Sequence, residues 1–194
     1  METIKIIPES DYDALRQIVG EYLPGTKLTE LDKMCERFPS AVVGYYIGDK
    51  MVGVCYGFEI DCENFMLDGI AIVQPHNAAG RGGKLISLFE ERVSAMGYKN
   101  ISLGSADGYV ERFYIKNGYS PVELKIYVEG SEWEHKARDY IYPVAYTQQE
   151  GERTKLVIKV TDYCRMDKAE IAAYYNGADA FFVFEKSVRG AGIS

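Results

Sequence analysis

Hydrophobic positions along the chain alternate between a spacing of two and a spacing of three to four, and the switches mark the elements. "TIKIIPES" predicts a short strand. "SDYDALRQIVGEYLP" follows with Leu15, Ile18, Val19 and Tyr22 on one helical face, Ser10 as its cap with Asp13 three residues on, and Pro24 as its stop. "TELDKMCERFP" repeats the arrangement: Thr29 and Asp32 start it, Leu31, Met34, Cys35 and Phe38 line it, and Pro39 ends it. "AVVGYYIGDKMVGVCYGFEI" reads as a hairpin turning at Gly48, Asp49 and Lys50, and "NFMLDGIAIVQP" as a third long strand with Gly69 at a bulge.

The second half keeps the alternation of strands and helices. "GKLISLFEERVSAMG" places Leu85, Leu88, Phe89, Val93 and Met96 on one face of a helix that Gly97 stops. "NISLGSA" predicts a short strand, "GYVERFYIKNG" a short helix, and "YSPVELKIYVEG" a strand with Val122, Leu124, Ile126 and Val128 on one face. The pattern fades from Ser131 to Arg153, which reads as a loop or linker. "TKLVIKV", "DKAEIAAYYNG" with its Asp167/Glu170 capping pair, and "ADAFFVFEK" then predict a final strand, helix and strand. The order is βααβββαβαβ followed by an extra βαβ, which indicates a mixed α/β sheet rather than a doubly wound one. Two segments are expected: a core over 1–130, and a linker with a βαβ extension over 131–194, packed on the same sheet.

The stretch "PHNAAGRGGKLI" joins a strand to a helix and carries Gly80, Gly82 and Gly83. The free N–H groups of a first helical turn bind anions, and glycine lets a ligand approach. Two familiar phosphate loops do not fit. A P-loop would need glycine at Ala78 and Ser or Thr at Leu85, and a dinucleotide fingerprint would need glycine at Leu85. The simpler alternative is that the glycines only permit a tight turn.

The run "IAIVQPHNAAGRGGKLI" resembles motif A of the GNAT superfamily of acyl-CoA-dependent N-acetyltransferases, with Asn77, Gly80 and Gly82 on its R/Q-x-x-G-x-G/A part. Downstream, "ERFYIKNGY" is similar to the family's F-Y-x-x-x-G-F/Y signature, matched by Phe113, Tyr114, Gly118 and Tyr119. Neither motif is specific alone; their order and the elements between them make the pair so. The resemblance spans about Thr3 to Val128. It departs from the family at Asn77, where Arg or Gln is usual, and in a Pro75-to-Gly80 spacing one residue short.

The resemblance implies a GNAT-like acyltransferase fold with a splayed central sheet, and acetyl-CoA as co-substrate. The backbone of Ile70, Ala71, Ile72 and Val73 is expected to pair with the pantetheine arm and polarise the thioester carbonyl. The pyrophosphate is expected on the loop formed by Asn77, Ala79, Gly80, Arg81, Gly82, Gly83 and Lys84. Phe113 belongs to the cofactor-binding motif, and Asp107 falls where the family often has Asn against the pantetheine arm. Tyr114 matches the general acid that protonates the leaving thiolate; its structural alternative is a core tyrosine. An amine attacks only when neutral, so a base is needed. Asp68, taken to share a face with Met66 and Ile70, is the candidate, with Glu59 on the neighbouring hairpin as the other. A solvated or hydrogen-bonded residue beside a bulge is the plainer account of Asp68.

Composition narrows the partners. The chain of 194 residues has a formal net charge of -7 and no Lys/Arg cluster suited to nucleic acid. An acidic surface favours cationic small molecules or basic peptides. No run approaches a membrane span, and "METIKIIPES" carries no signal-like apolar region. Cys35, Cys55, Cys62 and Cys164 are scattered, and His76 and His135 lie far from them in sequence. Reduced thiols in a cytoplasmic protein, with no metal site, are therefore expected. The acceptor would be a small-molecule or peptide amine. Tyr45, Tyr46 and Tyr56 either line its pocket or pack in the core. The extension either completes the sheet, covers the acceptor site or builds a homodimer. The competing functions are a non-catalytic acyl-CoA-binding protein on the same fold and an unrelated nucleotide-phosphate enzyme, which the failed loop tests disfavour.

Overall fold

The computed structural model describes residues 1–77, 80–105, 108–137, 140–177 and 179–188. It is a mixed α/β fold with a large mixed sheet and, among the described residues, nine strands and six α-helices. The described chain divides into two compact units. One holds Met1–Ser102 with Ser187 and Val188, and the other holds Leu103–Lys186.

The first unit contains β1 (Glu2–Ile6), α1 (Tyr12–Tyr22), α2 (Leu28–Arg37), β2 (Val43–Ile47), β3 (Lys50–Glu59), β4 (Asn64–Ile72), α3 (Arg81–Ala95) and the start of β5 (Asn100–Ser105). Its strands run in the order β1-β2-β3-β4-β5. The first three pairings are antiparallel, and β4 meets β5 in parallel. Side chains alternate across the sheet. Val54 and Tyr56 of β3 join Leu15, Ile18, Val19, Leu31 and Cys35 in a core against α1 and α2. Gly57 faces the other way, close to the Phe89 ring of α3. The apolar stripe of α3 is Leu85, Ile86, Phe89 and Val93, all fully buried, while Leu88 and Met96 are only half-buried.

Two helix starts differ from the sequence pattern. The chain enters α1 through a 3-10 turn at Glu9–Asp11, and the Ser10 hydroxyl donates to Asp11 instead of capping the helix. α2 begins at Leu28, and Asp32 accepts from Arg16 Nε at 2.9 Å rather than serving the helix start.

The second unit contains α4 (Gly108–Lys116), β6 (Ser120–Glu129), α5 (Trp133–Lys136), β7 (Tyr146–Glu150), β8 (Arg153–Lys159), α6 (Lys168–Tyr174) and β9 (Asp179–Ser187), whose last residue lies in the first unit. Four strands run β9-β6-β8-β7, each pair antiparallel. Leu124, Ile126 and Val128 are buried as their alternation requires. The α6 cap also forms as its sequence indicates: the Asp167 carboxylate accepts from the N–H groups of Ala169 and Glu170. The stretch read as a linker holds α5 and β7. All five residues of β7 are exposed, so no alternation marks it, and it forms by backbone pairing with β8.

Candidate active site

β4 contains the feature that shapes the site. Tyr56 pairs with Gly69, and Gly57 pairs with Leu67, so Asp68 is an extra residue in a β-bulge. The bulge changes the parity of the strand. Phe65 and Leu67 lie on the α3 face, Phe65 with its ring centroid 6.0 Å from that of Phe89. Beyond the bulge, Ala71 and Val73 pack with the α1/α2 core, and Ile72 turns toward Gly53 on the α3 face. Strict alternation put Ile70 beside Asp68. The bulge instead sets Asp68 on the α1/α2 side with Gly69, and Ile70 on the opposite face. Gly69 is required here, because a Cβ would meet the Tyr56 ring at 2.4 Å.

The same strand presents unpaired backbone. The β4–β5 ladder comprises Asn64–Asn100, Phe65–Ile101 and Met66–Ser102. Beyond Met66, no other strand of this unit pairs with that edge among the described residues. Val73 donates its N–H to Val52 O at 2.8 Å, which sets the hydrogen-bond phase with β3. By antiparallel alternation Ala71 also bonds toward β3, and Ile70 and Ile72 direct their N–H and C=O groups to the open edge. The Val73 carbonyl accepts from His76 N–H at 2.7 Å, so both backbone groups of Val73 are engaged.

β4 leads into the glycine turn. Gly80 is the N-cap of α3 at φ 71°, a left-handed conformation natural to glycine, and a Cβ there would meet nothing within 4 Å. The N–H groups of Arg81, Gly82 and Gly83 lie in the first turn of a fifteen-residue helix, where no intrahelical acceptor exists. Free N–H groups at a helix start, with the helix dipole, attract anions in general. Asn77 is exposed. Ala79 and Asp107 lie outside the described residues. The Lys84 side chain is well exposed, whereas Arg81 forms an ion pair with Glu2 at 2.6 Å. Sequence reasoning missed Glu2; no local pattern announces a partner 79 positions away.

On the α1/α2 side, Asp68 is exposed at its surface, yet the protein around it displaces enough water to raise its pKa above the usual carboxylate value. No described side chain donates a hydrogen bond or an ion pair to it. Tyr56 lies nearby, its hydroxyl 3.0 Å from that of Thr26 in the α1–α2 turn, and burial pushes its pKa up to about 12. Glu59 is engaged elsewhere, accepting from Arg37 Nη2 at 3.0 Å and from the Tyr98 hydroxyl at 2.6 Å. Tyr45, Tyr46 and Tyr56 are all buried, and the first two bond to Glu2 and Asp11. They are core residues with satisfied hydroxyls.

In the second unit, Tyr114 on α4 is 6% exposed, with its ring among Phe113, Tyr119 and Phe184 at centroid distances of 5.3, 5.9 and 6.1 Å. Glu111, one turn earlier, is buried and accepts from the Tyr163 hydroxyl at 2.7 Å and Lys168 Nζ at 2.6 Å. This pair of bonds fixes α4 to the segment before β9. Among the described residues no group of three or more His, Cys, Asp or Glu side chains is placed to hold a metal ion. Among the described residues no helix is long and apolar enough to cross a membrane.

In comparison with solved structures, the chain has the fold of the GNAT acetyltransferases. It matches an Escherichia coli ribosomal-protein alanine N-acetyltransferase at TM-score 0.61 and 14% identity, covering 100% of this chain and 98% of that one. A GNAT family acetyltransferase from Elizabethkingia anophelis, with acetyl-CoA bound, matches at 0.53 and 12%, covering 96% and 97%. An aminoglycoside 6'-acetyltransferase type Ii matches at 0.55 and 16%, covering 96% and 97%. What is shared at such identities is the fold. No family's sequence profile matches the chain, and no curated protein matches it by sequence.

Proposed function

We propose that the chain is a GNAT-superfamily N-acetyltransferase that moves an acetyl group from acetyl-CoA to a primary amine by direct attack on the thioester. The observation that carries this reading is the open edge of β4 at Ile70 and Ile72, continuous with the Gly80-capped start of α3. The residues fit the donor. An extended amide-bearing arm can pair with the strand edge, and a diphosphate can accept from the first-turn N–H groups. An N–H of Ile70 or Ile72 is preorganised for the thioester oxygen as negative charge develops there.

In this reading the acceptor enters on the α1/α2 side. Asp68 attracts the ammonium form and takes its proton, which its raised pKa favours. The neutral amine attacks the carbonyl carbon, the C–S bond breaks, the amide nitrogen releases its surplus proton to solvent, and the thiolate is protonated. Tyr114 is assigned that protonation on the motif alone. The protein-alanine and aminoglycoside acceptors of two fold relatives support a peptide or small-molecule amine, and the chain's net charge of -7 favours a cationic one.

A screen of amines and peptides with acetyl-CoA, read as release of free thiol, tests the reading. Amine-dependent release is expected. Tyr114→Phe should cut turnover roughly 10²-fold while acetyl-CoA affinity holds; equal turnover would remove Tyr114 from the mechanism. A non-catalytic acyl-CoA binder is the second reading, left open by Asn77 where the family usually has Arg or Gln. Tight acetyl-CoA binding with no amine-dependent release in the whole screen would select it.

A further inference from the structure

Arg81, the first residue of α3, bonds to Glu2 and to His76, which lie far apart in sequence. Its Nε and Nη2 donate to Glu2 Oε1 at 3.1 and 2.6 Å, and its Nη1 donates to the carbonyl oxygen of His76 at 3.2 Å. One planar guanidinium thereby ties the turn after β4 to the edge strand β1. Glu2 is itself held, since its Oε2 accepts from the hydroxyl of buried Tyr45 at 2.5 Å. Lys84 Nζ stands 4.0 Å from the same oxygen. The Tyr45 and Arg81 bonds hold the Glu2 carboxyl below its usual pKa, so it stays charged at neutral pH.

A forked guanidinium with both faces of its fork in use is a poor mobile counter-ion and a good clamp. The Arg81 side chain is only 19% exposed, in keeping with the second role. We propose that Glu2 is a positioning residue for donor binding: through Arg81 it holds the His76 carbonyl and the first turn of α3 so that the N–H groups there converge on a diphosphate. The proposal rests on reading this loop as the CoA cradle.

The two roles predict opposite signs. If charge alone matters, Glu2 opposes an anionic ligand, and neutralising it removes a repulsion and releases a cation. Donor affinity should then rise. If Glu2 positions the loop, the same change lets the turn relax and affinity falls.

The experiment is titration calorimetry of the full chain with acetyl-CoA, using wild type, Glu2→Gln and Arg81→Lys. Steady-state kinetics follow with acetyl-CoA and with S-acetyl-N-acetylcysteamine, a thioester donor that lacks the diphosphate. Glu2→Gln is expected to raise the acetyl-CoA Kd roughly five- to tenfold, with kcat at saturating donor within about twofold of wild type. Arg81→Lys keeps the charge and loses the fork, so it should show the same loss. Glu2→Gln should leave kcat/KM for the truncated donor unaltered. Equal or tighter acetyl-CoA binding by Glu2→Gln overturns the proposal, as does an equal loss with the truncated donor. Absence of acetyl-CoA binding in wild type would instead overturn the cradle reading, and the proposal with it.

Discussion

Gly57 offers a direct test of whether the β4 bulge is built into the sheet or merely tolerated by it. A Cβ at Gly57 would sit 1.9 Å from the carbonyl oxygen of Met66, 3.0 Å from its carbonyl carbon and 3.1 Å from Phe89 Cζ. The oxygen would have to retreat by about 1 Å even to reach the 3.0 Å that real Cβ atoms respect. It cannot do so cheaply. Met66 is paired with Phe58 on one side and with Ser102 on the other, so its peptide is held between two ladders. Gly57→Ala should therefore cost about 3 kcal/mol, the upper end of overpacking, which lowers Tm by roughly 6–12 °C in a chain of this size. Gly53→Ala is the control. Its Cβ would meet Ile72 Cδ1 at 2.3 Å, a side-chain tip that can rotate away, and Ala71 O and Tyr45 Cβ at 3.2 and 3.3 Å, which need give by only a few tenths of an ångström. A cost of about 1 kcal/mol is expected, largely recovered by adding Ile72→Val, which deletes that methyl. Urea unfolding followed by far-ultraviolet circular dichroism measures both. Equal destabilisation by the two alanines would refute the argument that an immovable carbonyl, rather than crowding in general, demands glycine at position 57.

Two further tests address charge. If Asp68 is the base, kcat/KM rises with pH as its carboxyl deprotonates, with an inflection above the usual carboxylate range because burial raises its pKa. Asp68→Asn should lower kcat/KM by about 10²-fold and flatten that limb; a limb that survives places the base elsewhere. Glu123 on β6 tests stability. Burial alone would raise its pKa, but hydrogen bonds from Lys159 and Tyr146 outweigh this and the net shift is downward. A depressed folded pKa stabilises the protein above the unfolded value of 4.5 and ceases to do so as pH falls through the folded value. The urea midpoint of Glu123→Gln should therefore lie below wild type near neutral pH and converge on it in acid. A constant gap would show that the loss is steric.

Much of the fold was legible because it is encoded at short range. The spacing of Leu15, Ile18 and Val19, or of Leu124, Ile126 and Val128, selects helix or strand from neighbours a few residues away. Asp167 caps α6 from two and three residues off, and Gly80 takes the left-handed turn that its lack of Cβ permits. The glycine turn from β4 into α3 was readable for the same reason. β7 was not, since an exposed edge strand needs backbone partners rather than apolar side chains.

Other features came only from the folded arrangement. The sequence signalled a bulge at Gly69, but which residue is extra is decided by what faces the strand across β3, where the Tyr56 ring and the absence of a Cβ at Gly57 and Gly69 allow Asp68. The bulge moved Ile70 to the face opposite Asp68, which strict alternation could not foresee. Tyr45, Tyr46 and Tyr56 were equally compatible with pocket and core until the acceptors Glu2 and Asp11 and the partner Thr26 were brought to their hydroxyls. Arg81 was read as part of the phosphate loop, and its ion pair appeared only once β1 brought Glu2 beside α3. Periodicity is local because it reflects burial of one face of one element. The partner of a charge is not, because it depends on which strand edge the assembled sheet carries to it.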